Sequence, residues 1–272
     1  MIRVAHSPDA DDAFMFYALI TGKIDAQGIE FENVLADIET LNQKALKGEY
    51  EVSAISFHAY PYVADKYYLL SSGGSVGYKY GPVVVSKKEL GDLKGKRIAI
   101  PGVKTTAFLA LKLLEKDFEP IVTPFDKILE TVERGKADAG LVIHEGQLTY
   151  SNKKLLKVVD LGEWWYEETG LPLPLGGNVI RKDLDRELSL RISGLIRESI
   201  EYGLNNREEA LSYASKFAGD LEIEKVDEFV GMYVNERTLD YGDDGIKAIR
   251  LLLERGYKEG IITLKPKVEI LA

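Results

Sequence analysis

The feature that most constrains this chain is a pattern of short apolar runs, each followed by a helix-periodic stretch, that is written twice. Ile2–His6 reads as a strand broken by Pro8. Asp9 can then cap a helix carrying Phe14, Met15, Ala18 and Leu19. Gly28–Leu35 alternates as a second strand, Asp37 caps a helix with Ile38, Leu41, Ala45 and Leu46, Gly48 ends it, and Val52–Phe57 is a third strand. From Lys96 the same β-α-β-α-β order returns. Arg97–Ile100 runs into Pro101, Thr105 opens a helix, and Phe118–Thr123 is a strand. Asp126 is expected to cap a helix that stops at Gly135, and Leu141–Ile143 closes the unit. Pro8, Asp37 and Gly48 match Pro101, Asp126 and Gly135 at spacings of about ninety positions. Such an order builds a parallel sheet with helices on its faces, so two related α/β lobes are expected.

Two extended segments, Tyr80–Val85 and Leu171–Ile180, carry Gly and Pro and interrupt the helical pattern. They are expected to cross between the lobes, which divides the chain into 1–81 plus 178–272 and 82–177. The remainder is helical: Leu184, Leu188, Ile192, Leu195, Ile196 and Ile200 trace one apolar face, with further helices around 208–217, 225–233 and 245–254.

A length of 272 residues exceeds the usual size of one core, in keeping with two lobes. Forty-four acidic residues against 35 basic give a net charge of −9, which disfavours nucleic acid and anionic membranes as partners. No cysteine is present, so neither a disulfide nor a thiolate metal site can form. The opening MIRVAHSPDADD lacks the apolar stretch of an export leader, and a cytoplasmic protein is expected.

The three histidines, His6, His58 and His144, each follow or close a predicted strand, and all three are expected at one sheet edge. Ligands of open α/β sheets collect at the carboxyl ends of the strands, so His144 is the first candidate for a catalytic group; the alternative is a histidine that only caps a strand. An unperturbed imidazole, titrating at about 6.5, would be mostly free base at neutral pH. Asp9, Asp11 and Asp12 do not share one helix face, which favours capping by Asp9 over a metal cluster. Residues 102–106, Gly-Val-Lys-Thr-Thr, lack the phosphate-loop pattern, but a strand-to-helix turn there could cradle an anion or could be an ordinary cap at Thr105. Trp164, Trp165 and Tyr166 are read as core rather than as a ligand wall. No metal-ligand or nucleophile-triad spacing occurs.

With these residues in view, HSPDADDAFMFYAL (6–19), DIETLN (37–42), AISFHAY (54–60), YGPVVV (80–85), IHEGQLTY (143–150) and LPLPLG (171–176) closely resemble the 1,4-dihydroxy-6-naphthoate synthase family, over nearly the whole chain. The resemblance implies a two-lobed type 2 periplasmic-binding-protein fold, with two hinge strands and a ligand cleft between the lobes. It also implies conversion of cyclic dehypoxanthine futalosine to 1,4-dihydroxy-6-naphthoate in the futalosine route to menaquinone. His144 would be the proton acceptor, and Ser56, Phe57, His58, Thr105 and Thr106 would contact a small aromatic carboxylate substrate. Neither a cofactor nor a metal would be needed. Two rivals share the fold, chorismate dehydratase of the same pathway and a non-catalytic solute-binding protein. The HSPDADDAF and IHEGQ stretches favour the synthase over the dehydratase; the histidine at the cleft and the lack of an export leader weigh against the binding protein.

Overall fold

A computed structural model describes residues 1–219 and 221–271. The first repeat forms β1 (Ile2–His6), α1 (Ala10–Ile20), β2 (Phe31–Leu35), α2 (Ile38–Leu46) and β3 (Val52–Ser56), followed by β4 (Tyr67–Leu70), β5 (Ser75–Gly77) and β6 (Val83–Ser86). The second forms β7 (Arg97–Ile100), α3 (Thr106–Leu114), β8 (Glu119–Val122), α4 (Ile128–Glu133) and β9 (Ala139–Val142). Then come α5 (Gly146–Thr149), β10 (Leu156–Asp160), α6 (Leu161–Thr169) and β11 (Leu173–Arg181). Helices α7 (Arg186–Asn205), α8 (Arg207–Ala214), α9 (Ile223–Tyr233), α10 (Glu236–Leu239) and α11 (Gly242–Lys258) precede a short β12 (Ile270–Leu271).

Two sheets result. One has the order β12-β4-β11-β3-β1-β2 with β5 paired to β11; the other has the order β10-β6-β9-β7-β8. The duplication is visible in the pairing. In the first sheet β1 lies parallel between β3 and β2, and in the second β7 lies parallel between β9 and β8. Each parallel block is extended by an antiparallel strand, β11 beside β3 and β6 beside β9. β11 belongs to the larger sheet along its whole length, pairing with β5 from Leu173, so residues 173–177 sit with the first block rather than with the second as expected.

The caps form largely where the side-chain chemistry directs them. Asp9, Asp37 and Thr105 each accept a backbone N–H at the start of α1, α2 and α3, each satisfying a donor that the helix cannot. Asp126 is the exception. Phe125–Lys127 forms a 3₁₀ turn led by Pro124, and α4 starts after it without a side-chain cap.

Helix α1 is buried from Ala10 to Leu19, enclosed by the sheet on one side and by α7, α8 and α9 on the other. Phe14, Met15 and Phe16 each contribute about 1.5–3 kcal/mol on burial. The helix approaches α7 closely because Gly203 has no side chain, and a Cβ there would lie 2.9 Å from the Phe14 ring. Ser199 of α7 donates to the Met15 carbonyl at 2.7 Å and accepts from Leu19 N–H at 3.1 Å, leaving no unpaired hydroxyl at the contact. This packing fixes the amino end of α1 deep inside the molecule.

Candidate active site

The carboxyl ends of the parallel strands of both sheets border one cavity. Ser7 and Asp9 follow β1, Ser56 ends β3, Thr105 and Thr106 follow β7, and His144 follows β9. Strand topology thus brings separate loops to one place.

His144 is the best-defined chemical group there. Its φ of 54° lies in the left-handed region that few non-glycine residues occupy. The turn is closed by Gln147 N–H donating to the His144 carbonyl at 3.1 Å. The ring packs edge-on to Phe125, with centroids 4.9 Å apart. Nδ1 lies 2.8 Å from Oδ2 of Asp9, whose side chain is only 4% exposed. Nε2 is buried and has no partner in the protein, in a residue that lines the cavity.

Asp9 therefore does more than cap. One carboxylate oxygen accepts from Asp12 N–H at 3.3 Å while the other holds the imidazole. Burial alone would depress the His144 pKa, but the charge and hydrogen bond of Asp9, helped by Glu145 and Asp12, hold it up at about 9. Burial opposes the charge of Asp9 too, and His144 outweighs it, keeping that carboxyl well below the usual range. The resting pair is imidazolium and carboxylate. The neutral imidazole expected from an unperturbed histidine is the minor form at pH 7.

Other bonds tie the same loop to the first sheet's layer. Glu145 accepts from Ala10 N–H at 3.1 Å, and Gln147 accepts from the Tyr233 hydroxyl of α9 at 2.8 Å. Gln147, Tyr233 and Phe229 all border the cavity, and none was legible as a site residue beforehand. Gln147 had a signal, lying three residues beyond His144 in the same motif; the two α9 residues had none.

The remaining expected residues divide. Ser56 lines the cavity and is fixed by Asn42, which accepts from Ser56 N–H at 2.9 Å and donates to its hydroxyl at 3.1 Å. Thr105 and Thr106 line it as well. The Thr105 hydroxyl is already engaged, donating to the Gly102 carbonyl at 2.9 Å and accepting from Phe108 N–H at 3.2 Å. That of Thr106 accepts from His58 N–H at 3.3 Å. What this turn offers a ligand is chiefly the backbone N–H groups of the first turn of α3.

Phe57 and His58 are not among the residues bordering the cavity. Phe57 is fully buried, edge-on to Tyr241, because strand alternation turns it away from the face that carries Ser56. His58 has its Nδ1 3.2 Å from the Thr105 carbonyl and stacks on Phe108; burial, then Lys104, push its pKa down to about 4, so it is neutral. His6 is buried against Phe16 beside the Ser7 carbonyl. The three histidines thus do not share one edge. His6 closes β1 and His58 follows β3, neighbouring strands of one sheet, and His144 follows β9 of the other. Trp165 is core, its indole N–H donating to the Pro172 carbonyl at 3.0 Å.

Among the described residues, Asp9, Asp11 and His144 each bring one possible metal-ligand atom within 4.8 Å of the others. Asp9 and His144 already spend a donor atom each on one another, so a cation at this place would compete with the imidazolium.

Two sheets around one inter-sheet cavity, with an Asp–His pair inside it, form a periplasmic-binding-protein-like scaffold. The fold is shared with the alkanesulfonate-binding protein SsuA from Xanthomonas axonopodis pv. citri, at a TM-score of 0.72 and 13% identity over 98% of this chain and 94% of that one. A crystal structure of a protein from Archaeoglobus fulgidus is far nearer, at a TM-score of 0.93 and 51% identity over 96% of this chain and 98% of that one. A family model described as menaquinone biosynthesis matches residues 2–258. The 1,4-dihydroxy-6-naphthoate synthase of Thermus thermophilus is 41% identical over 98% of this chain and 97% of its own. The chain belongs to the 1,4-dihydroxy-6-naphthoate synthase family of menaquinone biosynthesis.

Proposed function

We propose that this enzyme converts cyclic dehypoxanthine futalosine to 1,4-dihydroxy-6-naphthoate in the cytoplasm, with His144 as the group that accepts a proton from the substrate. The observation that carries the reading is the His144 ring itself: Nδ1 is committed to Asp9 at 2.8 Å, and Nε2 is left as the one ring nitrogen able to exchange a proton with a ligand in the cavity. The base is the neutral, minor form of His144: the carboxylate behind it fixes its tautomer and stabilises the cation formed when Nε2 takes a proton. Aromatisation of the new ring supplies the driving force, so the protein's task is to place the base and keep water out.

The substrate's carboxylate is assigned to the start of α3, where Thr105 and Thr106 line the cavity and the helix amino end favours an anion by a few tenths to about 2 kcal/mol. Ser56, held by Asn42, is assigned to a polar group of the same substrate. In this reading residues 1–81 with 178–272 form one lobe and 82–177 the other, the pairing of β11 carrying the first lobe back to residue 173, and the lobes close on the ligand. Among the described residues no helix is long and apolar enough to cross a membrane.

The test is incubation of the purified protein with cyclic dehypoxanthine futalosine and chromatographic detection of 1,4-dihydroxy-6-naphthoate. Formation of the naphthoate supports the reading. Binding without product, or consumption of chorismate in its place, overturns it.

A further inference from the structure

Helix α9 sends Tyr233 and Phe229 to the cavity wall, and neither has a task in the chemistry assigned to His144. Tyr233 is buried, and its hydroxyl lies 2.8 Å from the side-chain oxygen of Gln147, a residue of the turn that carries His144. That contact decides how the Gln147 amide is used. A buried phenol must place its proton on an acceptor, and Gln147 Oε1 is the one acceptor Tyr233 has among the described residues. The hydroxyl therefore donates, the amide oxygen accepts, and the Nε2 group is left over. Gln147 is only 9% exposed and lines the cavity, and its Nε2 has no partner among the described residues. N–H donors left unpaired in such a place are costly, so a ligand oxygen is their natural partner. The backbone keeps this donor beside the base, because Gln147 N–H bonds the His144 carbonyl at 3.1 Å and both side chains leave one turn.

We propose that Gln147 recognises the oxygen-bearing ring of the ligand: Nε2 donates a hydrogen bond to an uncharged hydroxyl or carbonyl oxygen, and Tyr233 is a positioning residue that keeps the amide from turning over. The inference rests on the function proposed above and adds a second polar contact to it. In 1,4-dihydroxy-6-naphthoate the carboxylate stands on one ring and the two hydroxyls on the other. With the carboxylate held at the start of α3, the oxygenated ring falls to the turn that carries His144, where the proton is taken. A neutral oxygen suits this place better than a second anion. Asp9, Asp11 and Asp12 border the cavity from the amino end of α1, and α1 packs against α9. An amide serves a neutral acceptor without bringing a charge of its own, so the ion pair of Asp9 and His144 is left undisturbed.

The test is a ratio of two affinities. Calorimetry gives Kd for 1,4-dihydroxy-6-naphthoate, kept reduced, and for 2-naphthoate, which has the carboxylate and lacks the hydroxyls. Wild type should prefer the dihydroxy compound, and Gln147→Met should lower that preference about three- to tenfold, the worth of one neutral hydrogen bond, with the affinity for 2-naphthoate little changed. Tyr233→Phe should lose part of the same preference, because the amide is then free to present its oxygen instead. Gln147→Ala takes the place of the Met variant if that one does not fold. Both ligands weakened alike, with the ratio as in wild type, would make Gln147 a strut between the two layers and overturns the inference, as does a wild type that binds the two compounds equally. In turnover the same factor should appear in KM for Gln147→Met, and an unchanged KM overturns it too. Wild type that turns over no futalosine substrate sinks the functional reading and leaves the affinity ratio to decide this one; wild type that also binds neither naphthoate removes both.

Discussion

Oδ2 of Asp9, at the cap of α1, and Nδ1 of His144, beyond the end of β9, meet at 2.8 Å although their backbones belong to the layers of different sheets. The pair exists only while those layers are apposed. Ala10 N–H to Glu145 and the Tyr233 hydroxyl of α9 to Gln147 tie the loop after β9 to the first sheet's layer, so whatever separates the sheets at this edge also parts Asp9 from His144.

Replacing Asp9 with Asn removes the charge and keeps the shape. The His144 pKa should fall from about 9 toward the ordinary value of about 6.5, or below it, because burial is then opposed only by Glu145 and Asp12. Titration of the imidazole resonances by NMR measures this directly. An unshifted His144 in the variant would mean that its basicity comes from elsewhere.

The same pair makes stability depend on pH with a defined sign. His144 is raised in the folded state, so its contribution is fully present below about pH 6.5 and is lost as pH rises through about 9. Urea midpoints for wild type should decline across that window, and Asp9→Asn should lack the decline. Parallel curves for the two proteins would contradict the assignment.

His58→Ala and Thr105→Val should be stability variants first. His58 is buried off the cavity, and the Thr105 hydroxyl is consumed by its own helix cap, whose loss costs about 0.5–2 kcal/mol. Urea denaturation should register both, with the KM of Thr105→Val little changed because the N–H groups of α3 remain. A raised KM at unchanged stability would restore the hydroxyl as a ligand.

Much of this was legible in the chain because it is local. Short apolar runs marked β1, β3, β7 and β9, and Asp9, Asp37 and Thr105 cap helices from positions that their side-chain chemistry predicts. His144 could be singled out because a strand end feeding a polar turn is a local signal. Asp126 misled because Pro124 sets a 3₁₀ turn ahead of α4, and a capping residue carries no information about which turn precedes it. The role of Asp9 was hidden for a different reason. Capping explains an Asp at that place completely, and nothing in the neighbouring residues reports a second partner 2.8 Å away across the cleft. Phe57 turns away from Ser56 because successive side chains of a strand point to opposite faces, and His58 lies past the end of β3 with its ring against the start of α3, an arrangement that adjacency in the motif does not report.

The measurement that bears most directly on the whole account is kcat of His144→Asn with cyclic dehypoxanthine futalosine, taken beside His58→Ala. The account predicts a fall of about 100- to 10,000-fold in kcat for His144→Asn, with KM nearly unchanged and the fold intact, while His58→Ala retains turnover. Near wild-type kcat in His144→Asn, with turnover abolished in His58→Ala, would contradict it and place the base on the other sheet.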